Sequence, residues 1–274
     1  MDAPAPDAAG MTLSQDGPVA TVILDRPAKK NALNEAAWRA FPTVAAEIAG
    51  RPEVRAVVLR GAGGVFSAGA DIAEFVALAA SDEARRRAYA DAVRDGEAAV
   101  AGIAVPTVAA IEGACVGGGC QIALACDLRI AAVGTRFGIT PAKLGIVYPV
   151  DSTRRLVEAV GPARAKELLF TARLIDAEEA LAIGLVHRVT QAAELDAAVA
   201  ETVAALLRGS AYSLFAAKRM IDALSTPAPD LAELDALWRG GFAGEDLKEG
   251  AQAFLDKRAP RFTWRPEAAQ AKRR

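Results

Sequence analysis

Histidine is nearly absent from this chain of 274 residues: His187 stands alone. The three cysteines, Cys115, Cys120 and Cys126, lie in one short stretch, form no CxxC pair and have no histidine near them. No metal site is expected from that pattern; the thiols read as small buried apolar groups, and their odd number fits a reducing, cytoplasmic setting. No apolar run approaches the roughly twenty residues needed to cross a bilayer, so no membrane span is expected. Neither sign of charge is in excess, with 34 acidic against 32 basic residues, which leaves no general attraction to nucleic acid or membrane. The first ten residues are rich in alanine and proline and lack the basic start and long apolar core of a secretory signal; residues 1–10 read as a disordered tail. Lys272-Arg273-Arg274 reads as a solvated end, and His187 as a surface residue.

An apolar fraction of 53% is ample for a sizeable core. The most informative features are two glycine-bearing segments about fifty residues apart, Phe66-Ser67-Ala68-Gly69-Ala70-Asp71 and Val116-Gly117-Gly118-Gly119-Cys120-Gln121. Each follows a strand-like run and leads into a stretch of helical composition, so each reads as a strand-to-helix turn. Such turns aim backbone N–H groups into one pocket, because the first amides of a helix have no internal partner and the helix dipole favours negative charge there. Two turns converging on one point would form an oxyanion hole. Singly, glycine turns are ordinary connections in α/β proteins.

Strand-like and helix-like segments alternate through the first two-thirds. Strands are expected at Val19–Leu24, 56–60, Thr107–Ile111 and Leu128–Ala132. Helices are expected after Asn34 as N-cap, with Trp38, Phe41, Ala45 and Ile48 inward, then at 72–80, at 82–102 with Tyr89, Val93 and Val100 inward, and at 119–126. Pro42 should bend the first of these or shorten its start. Asp176 and Glu179 have capping-box spacing, and Gly184 and Gly209 suit helix ends. Leu195, Ala198, Val199, Thr202 and Leu206 recur at helical intervals, as do Leu214, Ala217, Ile221 and Leu224. Ser225-Thr226-Pro227-Ala228-Pro229 sets off the last helices, which carry Trp238, Phe242 and Phe254.

Taken together and in order, these segments closely resemble the crotonase, or enoyl-CoA hydratase/isomerase, superfamily. The resemblance starts at Leu24-Asp25-Arg26-Pro27-Ala28-Lys29-Lys30-Asn31-Ala32-Leu33-Asn34. It continues through both glycine turns, Cys126-Asp127-Leu128-Arg129-Ile130-Ala131, Leu144-Gly145-Ile146 and Gly184-Leu185-Val186 to Glu245-Asp246 and Phe254-Leu255, covering about residues 12 to 262. It implies an α/β fold, a ββα spiral core over 11–205 with a C-terminal helical region over 206–274 that assembles a homotrimer or a dimer of trimers. It further implies a CoA thioester as substrate and no permanently bound cofactor.

By motif matching, the resemblance places the thioester oxygen between the amides of Ala70 and Gly118. Arg26, Ala28 and Lys29 fall on the segment that meets the CoA nucleotide, where cations suit phosphate. Ala68, Asp71 and Ile72 fall on the loop that receives adenine and pantetheine, although Asp71 serves equally as a helix N-cap. Phe75, Gly117 and Pro141 fall on the substrate pocket. The chain departs from the hydratase pattern where two glutamates normally handle water: Gln121 and Pro141 stand there, and glutamine is no Brønsted base near neutral pH. Replacement groups are expected on the following segment. Tyr148 is similar to a tyrosine of the methylmalonyl-CoA decarboxylase branch, or else a buried aromatic whose hydroxyl meets a backbone partner. Asp151 is a candidate base, or else the N-cap of a helix. Trp238 and Phe242 suit an acyl pocket or a subunit contact. Besides the leading reading, an enzyme acting through a thioester enolate, a decarboxylase-like enzyme and a CoA-binding homologue lacking catalysis stay open; binding of nucleic acid is remote.

Overall fold

The structure, a computed structural model, describes residues 9–266. Most of the tail expected at 1–10 and the Lys272-Arg273-Arg274 cluster lie outside these residues. The last two tail residues do not behave as a tail: Ala9 is buried, and the carbonyl of Gly10 accepts from the Asp25 amide at 2.7 Å.

A hairpin of β1 (Met11–Asp16) and β2 (Val19–Leu24) leads into α1 (Glu35–Ala49). β3 (Ala56–Gly61) leads into α2 (Ile72–Ala79) and α3 (Glu83–Ala101). β4 (Thr107–Ile111) and β5 (Ala114–Val116) precede α4 (Gly118–Ala125), and β6 (Leu128–Ala132) and β7 (Arg136–Gly138) precede α5 (Val150–Thr171). Then come β8 (Leu174–Ile175), α6 (Ala177–Ala182), β9 (Arg188–Thr190), α7 (Leu195–Arg208), α8 (Ala211–Leu224), α9 (Leu231–Ala243) and α10 (Glu245–Leu255).

The larger sheet runs β1-β2-β3-β4-β6-β9, parallel except for β1 against β2; the smaller runs β5-β7-β8. A repeating unit underlies this order. β4 passes into β5 and then α4, and β6 into β7 and then α5, so each turn of chain places one strand in each sheet before its helix. The turns before them follow the same path with single bridges in place of full strands: Ser67 pairs with Cys115, and Leu33 with Ala70. This is the ββα spiral.

Burial follows from the pleat. Val57, Leu59, Ala109 and Ile111 face a core shared with Trp38, Phe41, Phe66, Ile122, Phe137 and Leu156, while Ala56, Val58, Val108 and Ala110 face Leu195, Ala198, Val199 and Val203 of α7. β4 is therefore apolar on both faces, as a parallel strand covered on both sides should be. The boundary expected at 205/206 falls inside α7, which runs unbroken to Arg208; the chain breaks instead at Gly209.

Among the described residues six side-chain N-caps fix helix starts: Asn34, Asp71, Asp82, Asp176, Ser210 and Asp230 accept from the Ala37, Ala73, Arg85, Glu179, Ser213 and Ala232 amides. The Asp176 capping box is half made, because the Glu179 carboxylate turns to Arg173. Pro42 does not shorten α1, which runs from Glu35 to Ala49 around it. A proline there leaves the Trp38 carbonyl without its helical donor. α3 comes close at that point, where a Cβ on Gly96 would lie 2.6 Å from the Trp38 carbonyl oxygen.

In α8 the buried face is Ala211, Phe215 and Ala216, so the repeat at Leu214, Ala217, Ile221 and Leu224 does not mark the inward side: Ile221 and Leu224 are exposed. Trp238, Phe242 and Phe254 are exposed as well. Among the described residues no helix is long and apolar enough to cross a membrane.

Buried Arg129 closes the end of α4. Its guanidinium donates to the carbonyls of Cys126 at 2.7 Å, Ala123 at 3.3 Å and Leu185 at 2.8 Å, so a cation meets the negative end of the helix dipole. Arg129→Met should lower unfolding free energy by at least about 2 kcal/mol, since buried carbonyls lose their donors. A denaturant midpoint shift at constant m-value checks it.

Candidate functional site

The first glycine turn is held from one side by the segment after β2. The Ala68 amide donates to Lys30 at 2.9 Å, Leu33 to Gly69 at 2.7 Å and Asp71 to Leu33 at 3.0 Å. Asn31 anchors that segment in a left-handed conformation, its buried side chain accepting from the Arg26 amide and donating to the carbonyls of Ala62 and Val65. From the other side, the Ser67 amide donates to Ala114 at 2.8 Å and Val116 to Ser67 at 3.0 Å, while Gly117 donates to Gly138 at 2.8 Å.

These bonds set the two turns side by side. Gly69 has φ of 104° and Gly117 φ of 51°, both in the region that favours glycine. A Cβ on Gly69 would lie 2.8 Å from the Val116 carbonyl oxygen and 3.6 Å from the Gly118 nitrogen. The amides of Ala70 and Gly118 take no part in this stitching, and neither donates to any described residue; the same holds for Gly119 and Cys120, the next two amides in the first turn of α4. Gly118 opens α4, where an unpaired amide also sits at the positive end of the helix dipole.

The residues assigned to CoA flank the first turn. Arg26 spans the gap, donating to the Ala32 carbonyl at 2.6 Å and pairing with Asp71 at 3.0 Å. The Arg26 hydrogen bond lowers the Asp71 carboxyl from its usual range, and the Ala73 amide adds to that effect. Asp71 thus caps α2 and fastens Arg26 at once. Ala28 and Lys29 are exposed on a short turn of 3-10 helix, Pro27–Lys29. Ala68 is partly buried, Ile72 is half exposed, and Phe75 packs edge-on against Tyr89 with ring centres 5.7 Å apart. Pro141 is buried at the start of the 3-10 turn Pro141–Leu144.

Gln121 is buried on α4, and its Oε1 would lie 3.6 Å from a Cβ on Gly118. Its Nε2 donates to Ser152 Oγ at 3.1 Å, Ser152 Oγ donates to Glu97, and Glu97 is paired with Arg155. Glu97 is 1% exposed. Burial raises its carboxyl from the usual range, while Ser152 and Arg155 act against that rise and Asp151 adds to it. Sequence reasoning missed this chain of contacts. A signal was present: Glu97 falls four residues after Val93 and three before Val100, on the inward side of α3.

Tyr148 is buried, but the backbone partner expected for a buried tyrosine is absent: its hydroxyl meets no described donor or acceptor. Burial holds its pKa well above the ordinary tyrosine range. Asp151 is not the N-cap of α5, a place taken by Pro149; its carboxylate is 55% exposed and lies 3.9 Å from Arg154. The inward residue of that segment is Ser152, fully buried. His187 is on the surface, its Nδ1 accepting from the Arg129 amide at 3.0 Å. All three cysteines are buried, and Cys120 donates to the Cys115 carbonyl.

Gly69→Ala should cost about 1–3 kcal/mol of stability through strained backbone and the forced contact with Val116. Gly64→Ala is its control, with φ of 74° and open space around the added carbon. Thermal unfolding of both variants checks this: the Gly69 variant should lose clearly more than the Gly64 variant.

Comparisons with known proteins bear on this site. The family model for enoyl-CoA hydratase/isomerase matches residues 14–265. The short-chain-enoyl-CoA hydratase of Clostridium acetobutylicum is 36% identical over 251 residues, 90% of this chain and 94% of that protein. A solved chain from Hyphomonas neptunium is 41% identical with a TM-score of 0.89, covering 93% of this chain and 98% of that one. The enoyl-CoA hydratase/carnithine racemase structure from Magnetospirillum magneticum is 37% identical with a TM-score of 0.88, covering 94% and 96%. The chain belongs to the enoyl-CoA hydratase/isomerase family.

Proposed function

We propose that the protein binds a CoA thioester with its carbonyl oxygen between the Ala70 and Gly118 amides and turns it over through an enolate. The observation that carries this reading is that both glycine turns leave amides unengaged, Ala70 in the first and Gly118 in the second, beside a glycine contact too close for any side chain. Moving electrons onto a thioester oxygen is costly in water, and two fixed donors lower that cost most when the charge is fully developed. Arg26 and Lys29 supply cationic groups for the nucleotide phosphates, with Arg26 held in place by Asp71. Ala28, Ala68 and Ile72 line the CoA path, and Phe75, Gly117 and Pro141 the acyl pocket.

Hydration is the activity named for the relatives, and this chain meets it with Gln121 and Pro141 where carboxylates would serve. Hydration of a simple enoyl-CoA is therefore slow here. A second reading, decarboxylation of a methylmalonyl-CoA-like substrate, is favoured by the unpartnered buried hydroxyl of Tyr148. Loss of CO2 breaks the bond to the α carbon and leaves the electron pair on the enolate; no base is needed to start it, and a neutral phenol can hold or deliver the proton that follows. Asp151, exposed and beside Arg154, is the weaker candidate for acid–base work. The exposed Trp238–Phe242 pair, Ile221, Leu224 and Phe254 support assembly into a homotrimer or a dimer of trimers.

Two experiments test this. Crotonyl-CoA, a 3-enoyl-CoA and methylmalonyl-CoA are offered to the protein, and turnover of at least one is expected. A folded protein that binds acyl-CoA and changes none of them supports a non-catalytic homologue instead. Gly118→Pro is compared with Gly118→Ala: both add a side chain, but only proline removes the amide, and proline suits the first position of a helix. The proline variant should show kcat lower by about 100- to 1000-fold than the alanine variant. Equal rates in the two would remove Gly118 from the mechanism.

A further inference from the structure

The buried chain Arg155, Glu97, Ser152 and Gln121 has a direction, and that direction ends at the acyl side of Gly118. Ser152 has one proton, and it is given to the Glu97 carboxylate. Toward Gln121 the serine oxygen can then only accept, so Gln121 must present its amide nitrogen to Ser152 and its carbonyl oxygen elsewhere. That oxygen is the atom that would lie 3.6 Å from a Cβ on Gly118. The guanidinium of Arg155 occupies the other oxygen of Glu97 and favours its carboxylate form against the effect of burial.

We propose that Glu97 and Ser152 are positioning residues that hold Gln121 as a hydrogen-bond acceptor beside the thioester, so that the site selects acyl groups bearing a donor next to the thioester and rejects those bearing only an acceptor. The inference rests on the CoA-thioester reading. A 3-hydroxyacyl group can donate to Gln121 Oε1. A 3-oxoacyl group places one carbonyl oxygen against another, and neither can donate. A buried acceptor left facing an acceptor discriminates by more than the loss of an ordinary contact.

The proposal separates from a purely structural role because one substitution reverses the chain without dismantling it. In Glu97→Gln the new amide keeps its oxygen toward Arg155 and turns its nitrogen to Ser152. Ser152 then accepts from residue 97 and gives its own proton to Gln121, whose amide nitrogen swings round to the acyl side. The 3-oxo ligand gains a donor, and the 3-hydroxy ligand, whose oxygen also accepts, keeps a partner.

The test is the dissociation constants of butyryl-CoA, 3-hydroxybutyryl-CoA and acetoacetyl-CoA for the full chain, its Glu97→Gln variant and its Ser152→Ala variant, by calorimetry. In the unaltered protein the 3-hydroxy ligand should bind on the order of tenfold tighter than the 3-oxo ligand. Glu97→Gln should bring that ratio close to one with butyryl-CoA unchanged, and Ser152→Ala should reduce it. A ratio near one in the unaltered protein overturns the proposal without any variant. A ratio that Glu97→Gln leaves intact overturns it too, with butyryl-CoA affinity showing that the variant is folded. If butyryl-CoA itself does not bind the unaltered protein, the CoA-thioester reading fails and this proposal with it.

Discussion

Everything at this site depends on how closely two backbones approach. Gly69 comes up against the Val116 carbonyl oxygen at a distance that leaves no room for a methyl group, with the Gly118 nitrogen just beyond it. That approach is enforced from both flanks, by the 30–33 segment on one side and by the bridge between Ser67 and Cys115 on the other. Most amides of the first turn are engaged in the stitching; that of Ala70 is not, nor are those that open α4, Gly118 among them. A fold that stacks strand, strand and helix in repeated turns delivers this arrangement because equivalent points of successive turns fall side by side.

The second constraint is the polar chain that crosses the packed interior between α3, α4 and α5. A carboxylate with almost no exposure survives there because each of its oxygens has a partner, the Arg155 guanidinium on one side and the Ser152 hydroxyl on the other. Its effect extends to Gln121 on α4, the residue we propose faces the acyl group. Charge is thus still present near that position, but it sits two residues back from the acyl group and is relayed as hydrogen-bond polarity. Tyr148 is the opposite case, a buried hydroxyl left without a partner in the same region.

Much of the fold was legible in the sequence. The runs around Val57 and Val108, the caps at Asn34 and Asp71 and the two glycine turns all fell where local chemistry put them. β1 escaped notice because its polar Ser14 and Gln15 mask the alternation, and as an edge strand it carries a weaker apolar signal. The Glu97 relay escaped for a different reason: its contacts join residues 55 and 31 positions apart, which no local pattern encodes. The repeat at Ile221 and Leu224 was visible but its partner was not, since helical spacing cannot tell a face turned to the core from one left open. Likewise the sequence draws attention to Asp151 as the acidic residue of its segment, and only the path of α5 decides that its neighbour Ser152 turns inward.

The central claim is that two backbone amides polarise the thioester carbonyl. Infrared difference spectroscopy of butyryl-CoA labelled with 13C at that carbonyl reads the bond directly. Donation from both the Ala70 and Gly118 amides predicts a bound band at clearly lower frequency than in solution, and a smaller displacement in Gly118→Pro. A bound carbonyl band at its solution frequency would contradict the assignment.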